Sequence, residues 1–279
     1  DPHLGMTAPS IWTMYHLRSG DLDVTGASFV GTPGIIIGRN KKIAWAVTNA
    51  ATDVQDLYYM NQVNETGYMY KGAYTPYEIR DLEIPVSGGK SVSFPVKHTV
   101  YGPLLTEDAF GVVEPIALHW PTLYLANDTT IVTMMEIMRA ENWTMFRDSF
   151  AYFVGPGQNF IYADVEGNIG YQLPGFTPLR VANHTGTFPV PGDGNYDWLG
   201  SLDFSGLPSV FNPKSGFISS ANEKVVPNTY PYLILNDRDW SEPYRGARIR
   251  EFLLSKEKLT NDDMRALHGD QMRYVLHLH

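Results

Sequence analysis

The chain has 279 residues, 43% of them hydrophobic and 18% charged, which suits a globular protein with a sizeable core and excludes a disordered one. A formal charge of −9 argues against a nucleic-acid binder, because a phosphate backbone asks for clustered Lys and Arg. The absence of cysteine excludes disulfides, thiolate zinc sites and a cysteine nucleophile, and no apolar run approaches the ~18 residues of a membrane span.

In chain order, the apolar and β-branched pattern predicts strands at residues 10–17, 34–37, 42–48 and 55–60. A hairpin follows, from Arg80 to Val86 and back through Ser91 to Lys97, with Gly88 and Gly89 supplying the turn. A helix is expected from Thr144 to Phe153, stopped by Gly155-Pro156-Gly157. A second hairpin pairs residues 160–163 with 169–172 around Asp164 to Asn168. Thr260-Asn261-Asp262-Asp263 is a capping-type start for a helix running toward Tyr274. Strands, helix, strands, helix in that order read as α+β rather than as a doubly wound sheet. No stretch has the composition of a linker, so a single domain over residues 1–279 is expected. Four Asn-x-Ser/Thr sequons, at Asn64, Asn127, Asn142 and Asn183, are a hint of export to a periplasmic or extracellular place.

Four blocks carry the functional reading. Asp1-Pro2-His3-Leu4-Gly5 opens the chain. Gly31-Thr32-Pro33-Gly34 leads to Gly38-Arg39-Asn40 and Ala44-Trp45-Ala46-Val47-Thr48-Asn49, then to Asp53, Gln55 and Asp56. Tyr162-Ala163-Asp164 and Gly167-Asn168-Ile169-Gly170-Tyr171 precede Pro189-Val190-Pro191-Gly192. Pro213-Lys214-Ser215-Gly216 is followed by Ala221-Asn222-Glu223 and by Pro243-Tyr244-Arg245-Gly246-Ala247-Arg248. In this order and at these separations the blocks resemble the penicillin acylase family, N-terminal-nucleophile amidohydrolases, over nearly the whole chain.

The resemblance implies an α+β fold, a four-layer αββα sandwich of two antiparallel sheets between helices, and hydrolysis of a linear amide. In that family a precursor cleaves itself and exposes a serine whose hydroxyl attacks the acyl carbonyl. Its own α-amine, titrating at about 7.7–8.0, serves as base. The first block resembles the one that lies after that serine. The chain is therefore expected to be part of the β-chain, inactive without the serine, with an α-chain of the same precursor and the rest of the β-chain as partners. A non-catalytic binding or structural member of the same fold is the alternative. A β-rich sugar-binding or surface protein is a third class, which would leave Asn222 far from Asn49.

Residue by residue, the resemblance places His3 beside the nucleophile, against a plain packing role. It makes the Asn222 side chain and the Asn49 backbone amide the two donors of an oxyanion hole; a turn-forming Asn222 is the bland reading. Arg248 resembles the arginine that holds the active-site asparagine, and Arg245 is not separated from it. Leu4, Ile37, Val47, Met134 and Gln158 are expected to line an acyl pocket, where ordinary core is the rival for the apolar four. Asp53, Gln55 and Asp56 match a structural calcium turn, with Asp237 or Asp239 as a further ligand; a solvated acidic turn is the other reading. The substrate implied is a small N-acyl amide. The scattered histidines show no zinc spacing, and no glycine-rich phosphate loop is present.

Overall fold

The computed structural model describes residues 4–5, 7–61, 63–105, 111, 114–125, 128–236 and 239–272. Among the described residues seventeen strands run in chain order. The first seven are β1 (Trp12–Ser19), β2 (Leu22–Phe29), β3 (Ile37–Arg39), β4 (Ile43–Asn49), β5 (Asp56–Tyr59), β6 (Gly67–Tyr70) and β7 (Ala73–Pro76). Then come β8 (Glu78–Ile84), β9 (Val92–Thr99), β10 (Gly102–Leu105), β11 (Ile116–His119), β12 (Gln158–Asp164) and β13 (Ile169–Gln172). The last four are β14 (Pro178–Leu179), β15 (Val190–Pro191), β16 (Gly200–Ser201) and β17 (Ser209–Phe211). The helices are α1 (Thr130–Ile137), α2 (Trp143–Asp148), α3 (Tyr244–Leu254) and α4 (Asn261–His268). The class is α+β, as expected from the order of elements.

One sheet has seven strands in the order β1-β2-β3-β4-β12-β13-β17, another six in the order β15-β5-β11-β10-β9-β8. Helices α1 and α2 cover one face of the seven-stranded sheet. Val47, Met134, Ile137, Phe146, Phe150, Phe160 and Tyr162 form a buried cluster there. The β4 sequence explains why: Ile43, Trp45 and Val47 alternate with smaller Ala44 and Ala46, so one face carries the bulk. Phe146 and Phe150, one helical turn apart, stand edge to face on that wall. The opposite face holds Tyr171 and Leu173 against Ile234. The six-stranded sheet has its own cluster around Tyr58, Tyr68 and Tyr101.

The two hairpins form where the glycine and alternation signals place them: β8 with β9, and β12 with β13. Every residue of β8 is exposed, so this first hairpin stands away from the described core. The strand expected at 34–37 starts at Ile37 instead, after the loop turn in which Gly34 takes a φ of 88°. The helix expected at 144–153 closes at Asp148. Past it the chain tightens into turns, with Phe150 N–H donating to the Arg147 carbonyl and Ala151 N–H to Asp148. Helix α4 begins with the expected capping box, Thr260 and Asp263 bonding each other's backbone N–H. It ends at His268, and Tyr274 lies outside the described residues. No helix among the described residues is long and apolar enough to cross a membrane.

Candidate active site

The end of β4 is where the two donor candidates meet. Lys42 C=O accepts from Val165 N–H, and Gly157 C=O accepts from Ala50 N–H. These bonds bracket the β4–β12 ladder, so the even-numbered residues of β4 bond β12 and the odd-numbered ones turn their backbone groups toward β3. Asn40 N–H donating to Ile43 C=O on that side agrees. The β3 pairing extends only to Trp45, so the N–H of Asn49 points past the end of β3.

Into that open side comes Asn222. Its Nδ2 donates to the Asn49 carbonyl at 2.8 Å, and its Oδ1 accepts from Arg245 Nη2 at 2.7 Å. The second Nδ2 proton has no acceptor among the described residues. Two N–H groups, one backbone and one side-chain, therefore stand side by side. Asn222 sits at φ 68°, a left-handed conformation that Asn adopts more readily than other residues with a side chain.

The loop around it is clamped by α3. Arg245 Nη2 also donates to the Ala221 carbonyl at 2.7 Å, and buried Glu223 takes the Ala221 N–H at 2.6 Å while pairing with Arg250 at 3.0 Å. Gly246 lets the helix lie this close, since a Cβ there would meet the Glu223 carboxylate. Arg248, expected to hold Asn222, faces elsewhere: it pairs with Asp270 at 2.7 Å and Glu251 at 2.9 Å. Arg245 and Arg248 are only about 60° apart around α3, so their partners and not the helix phase separate them: Arg245 takes the place at Asn222 and Arg248 turns to Asp270.

Beneath β4 runs a buried polar chain not read from the sequence. Tyr171 OH donates to Asn159 Oδ1 at 2.7 Å; Asn159 Nδ2 donates to Thr48 Oγ1 at 3.0 Å and to Asn49 O at 3.2 Å; Thr48 and Ser220 share a hydrogen bond of 2.8 Å. It ties the end of β4 to β12, β13 and the irregular segment leading to Asn222. The signal available in the sequence was polar residues at inward positions of otherwise apolar strands.

A cavity of about 720 Å³ opens beside the two donors, with Asn49 and Asn222 in its wall. Of the residues expected to line an acyl pocket, Leu4, Val47, Met134 and Gln158 line this cavity. Ile37 does not; Ile36 does, because neighbouring residues of an extended chain face opposite ways. Trp12, Phe29, Phe153 and Phe160 complete a mostly apolar wall. His3 lies outside the described residues.

The acidic turn beyond β4 is occupied by a buried cation of the chain itself. Arg180 Nε donates to Asp56 Oδ2 at 2.8 Å and its Nη2 to Asp53 Oδ1 at 3.0 Å. Trp198 Nε1 also donates to Asp56 Oδ2, and His184 Nε2 lies 3.0 Å from it, off the axis of a hydrogen bond. Burial alone would raise the Asp56 carboxyl, but the contacts from His184 and Arg180 outweigh it and hold the group at about 2. Asp53 shifts the other way, raised by burial against the pull of Arg180.

Among the described residues this set does not supply the oxygens of a calcium site. Asp56 is saturated by donors, Asp53 keeps one oxygen, Gln55 is exposed, and no group of three or more His, Asp or Glu fit for a metal occurs among the described residues. Calcium asks for about six to eight oxygens. Asp237 lies outside the described residues, and among the described residues no hydrogen bond or ion pair joins Asp239 to the turn.

Comparisons with known proteins agree with this architecture. The family model described as penicillin amidase matches residues 1–277. The chain is 30% identical over 259 residues to an acyl-homoserine lactone acylase, QuiP, of Pseudomonas fluorescens (strain Pf0-1), covering 90% of this chain and 31% of that protein. It is 31% identical over 264 residues to penicillin G acylase of Escherichia coli, covering 94% of this chain and 31% of that protein. The solved thermostable penicillin G acylase from Alcaligenes faecalis superposes with a TM-score of 0.82 at 25% identity, covering 94% of this chain and 47% of that one. The chain thus spans about a third of the length of the curated relatives it matches. With a match over almost every residue and the same fold in a solved member, the chain belongs to the penicillin amidase family.

Proposed function

We propose that the protein carrying this chain hydrolyses linear amides of N-acyl compounds, with the Asn49 N–H and the Asn222 side-chain amide as the oxyanion donors. The observation that carries this is the pair itself: two adjacent N–H groups at the mouth of a 720 Å³ apolar cavity. The relatives' names, penicillin acylase and acyl-homoserine lactone acylase, support the reaction class.

In this reading an N-terminal serine, supplied from outside the described residues, attacks the acyl carbon. The carbonyl π pair moves onto oxygen, and the two N–H groups stabilise that charge. Collapse breaks the C–N bond, and the amine leaves with the proton taken from the serine. Water then releases the acid from the acyl-enzyme. The acyl chain lies against Val47 and Met134, gaining on the order of 25 cal/mol per Å² of apolar surface covered. The α-chain and the remaining β-chain of the precursor are the partners this chemistry requires. Arg180 is the counter-ion of the acidic turn; a calcium ion there would have to draw most of its oxygens from outside the described residues.

The test is release of amine from a series of N-acyl amides by the complete protein and by Asn222→Ala. Turnover by the wild type that falls about 10²–10³-fold in the variant supports the reading. Equal turnover in both, or amine release by neither, overturns it.

A further inference from the structure

Asn222 has to be held at a fixed distance from β4, and no regular element does this. Residues 212–243 form neither strand nor helix among the described residues. Among these residues no backbone hydrogen bond joins the segment 219–223 to β4; the Asn222 carbonyl accepts from Ser241 N–H instead. Arg245 and Glu223 fasten the segment to its neighbours in the loop and to α3, not to the sheet.

Two side-chain hydrogen bonds make the join to β4. One is the Asn222 amide on the Asn49 carbonyl, made by the proposed donor itself. The other is the 2.8 Å hydrogen bond between Thr48 Oγ1 and Ser220 Oγ. Thr48 stands one residue before Asn49 and Ser220 two before Asn222, so this bond tethers the two donor-bearing segments to each other. Both side chains are buried, where a lost partner is not simply replaced by water. Thr48 Oγ1 also accepts from Asn159 Nδ2 at 3.0 Å, and Asn159 Oδ1 is held by the Tyr171 hydroxyl at 2.7 Å. The Thr48 hydroxyl is thus oriented from β12 and β13 before it meets Ser220.

We propose that Thr48 and Ser220 are positioning residues of the oxyanion hole, their hydrogen bond setting the separation of the Asn49 N–H from the Asn222 amide. The inference rests on the acylase reading above. Donor placement matters to the charge that develops on the carbonyl oxygen, not to the ground-state acyl group. Loss of the tether should therefore lower kcat and leave KM nearly alone.

The measurement is kcat and KM of the complete protein on one N-acyl amide, expressed per folded enzyme from the native tertiary circular-dichroism signal. Ser220→Ala is the cleaner probe, because Thr48 borders the cavity and Ser220 is not among the residues lining it. It is expected to lower kcat about three- to ten-fold with KM within about two-fold. Thr48→Val removes the same bond and should lose a similar factor, with the double variant losing no more than the larger single loss. Thr48→Ser keeps the hydroxyl and should retain most of kcat; with Ser220→Ala it decides the matter even where Thr48→Val fails to fold. An unchanged kcat in Ser220→Ala, a loss carried by KM, losses that multiply in the double variant, or a Thr48→Ser as slow as Ser220→Ala overturns the inference and leaves the acylase reading standing. Hydrolysis by none of the proteins, the wild type included, overturns both.

Discussion

Arg245 grips Asn222 at two points, donating to its side-chain oxygen and to the carbonyl of the residue before it, each at 2.7 Å. This contact fixes which end of the Asn222 amide faces the cavity, since the oxygen is taken and the nitrogen is left to point at Asn49.

The two arginines of α3 should therefore separate in a simple assay. Arg245→Met removes the grip and is expected to lower kcat by about 10-fold or more through a mispositioned donor. Arg248→Met breaks a partly covered pair with Asp270, away from Asn222, and should change kcat less than about two-fold, with any effect seen in stability instead. Steady-state kinetics and denaturant unfolding of both variants check this.

If the cavity takes the acyl group as proposed, its wall should set chain length. Met134→Ala should shift the preferred acyl group toward bulkier chains while costing about 2–5 kcal/mol of stability. Val47→Phe should shorten it. A chain-length series of N-acyl amides, read as kcat/KM, checks both; identical length profiles would contradict the assignment of this cavity.

The acidic turn gives a pH signature. Asp56 lies at about 2 in the fold against an ordinary 3.8, so its stabilisation is complete above about pH 4 and is lost as the pH falls toward 2. The contribution at neutral pH is on the order of 2 kcal/mol. Asp53 runs oppositely, its raised carboxyl favouring the fold more at low pH. Asp56→Asn leaves Arg180 buried with half its partners gone, an expected loss of about 3–5 kcal/mol at pH 7. The gap between wild type and variant in urea unfolding should narrow below pH 4; a constant gap would refute this account.

The polar chain under β4 is testable apart from chemistry. Asn159→Leu strands the Tyr171 hydroxyl and the Thr48 and Ser220 pair, with an expected cost of about 1–3 kcal/mol. Hydrogen exchange at the end of β4 should rise with it. Protection unchanged there would mean that the chain does not hold the strand end.

What the sequence made legible is local. Gly88-Gly89 announced the first hairpin, and Thr260 with Asp263 announced the start of α4. Helix α1 was missed because Thr130, Ile131, Val132 and Thr133 read as strand formers and Thr129 supplies no side-chain cap; packing of Thr133, Met134 and Ile137 decides it. The family blocks singled out Asn49 and Asn222, which the fold brings together, while Arg245 and Arg248, neighbours on one helix face, are separated only by the partners each meets in space. Arg180 and His184 meet Asp56 across more than 120 residues of sequence, and no periodicity links them. Ile36 displaced Ile37 because successive residues of an extended chain face opposite ways.

The left-handed backbone at Asn222 narrows what evolution or an engineer can place there. Glycine would accept the torsion angles but bring no amide; aspartate would nearly match the shape but set an anion where the proposed reaction develops one. Most other side chains would strain the main chain before chemistry came into question. Geometry and reactivity independently select the same amino acid, so tolerance at this codon should be far lower than its half-exposed setting suggests.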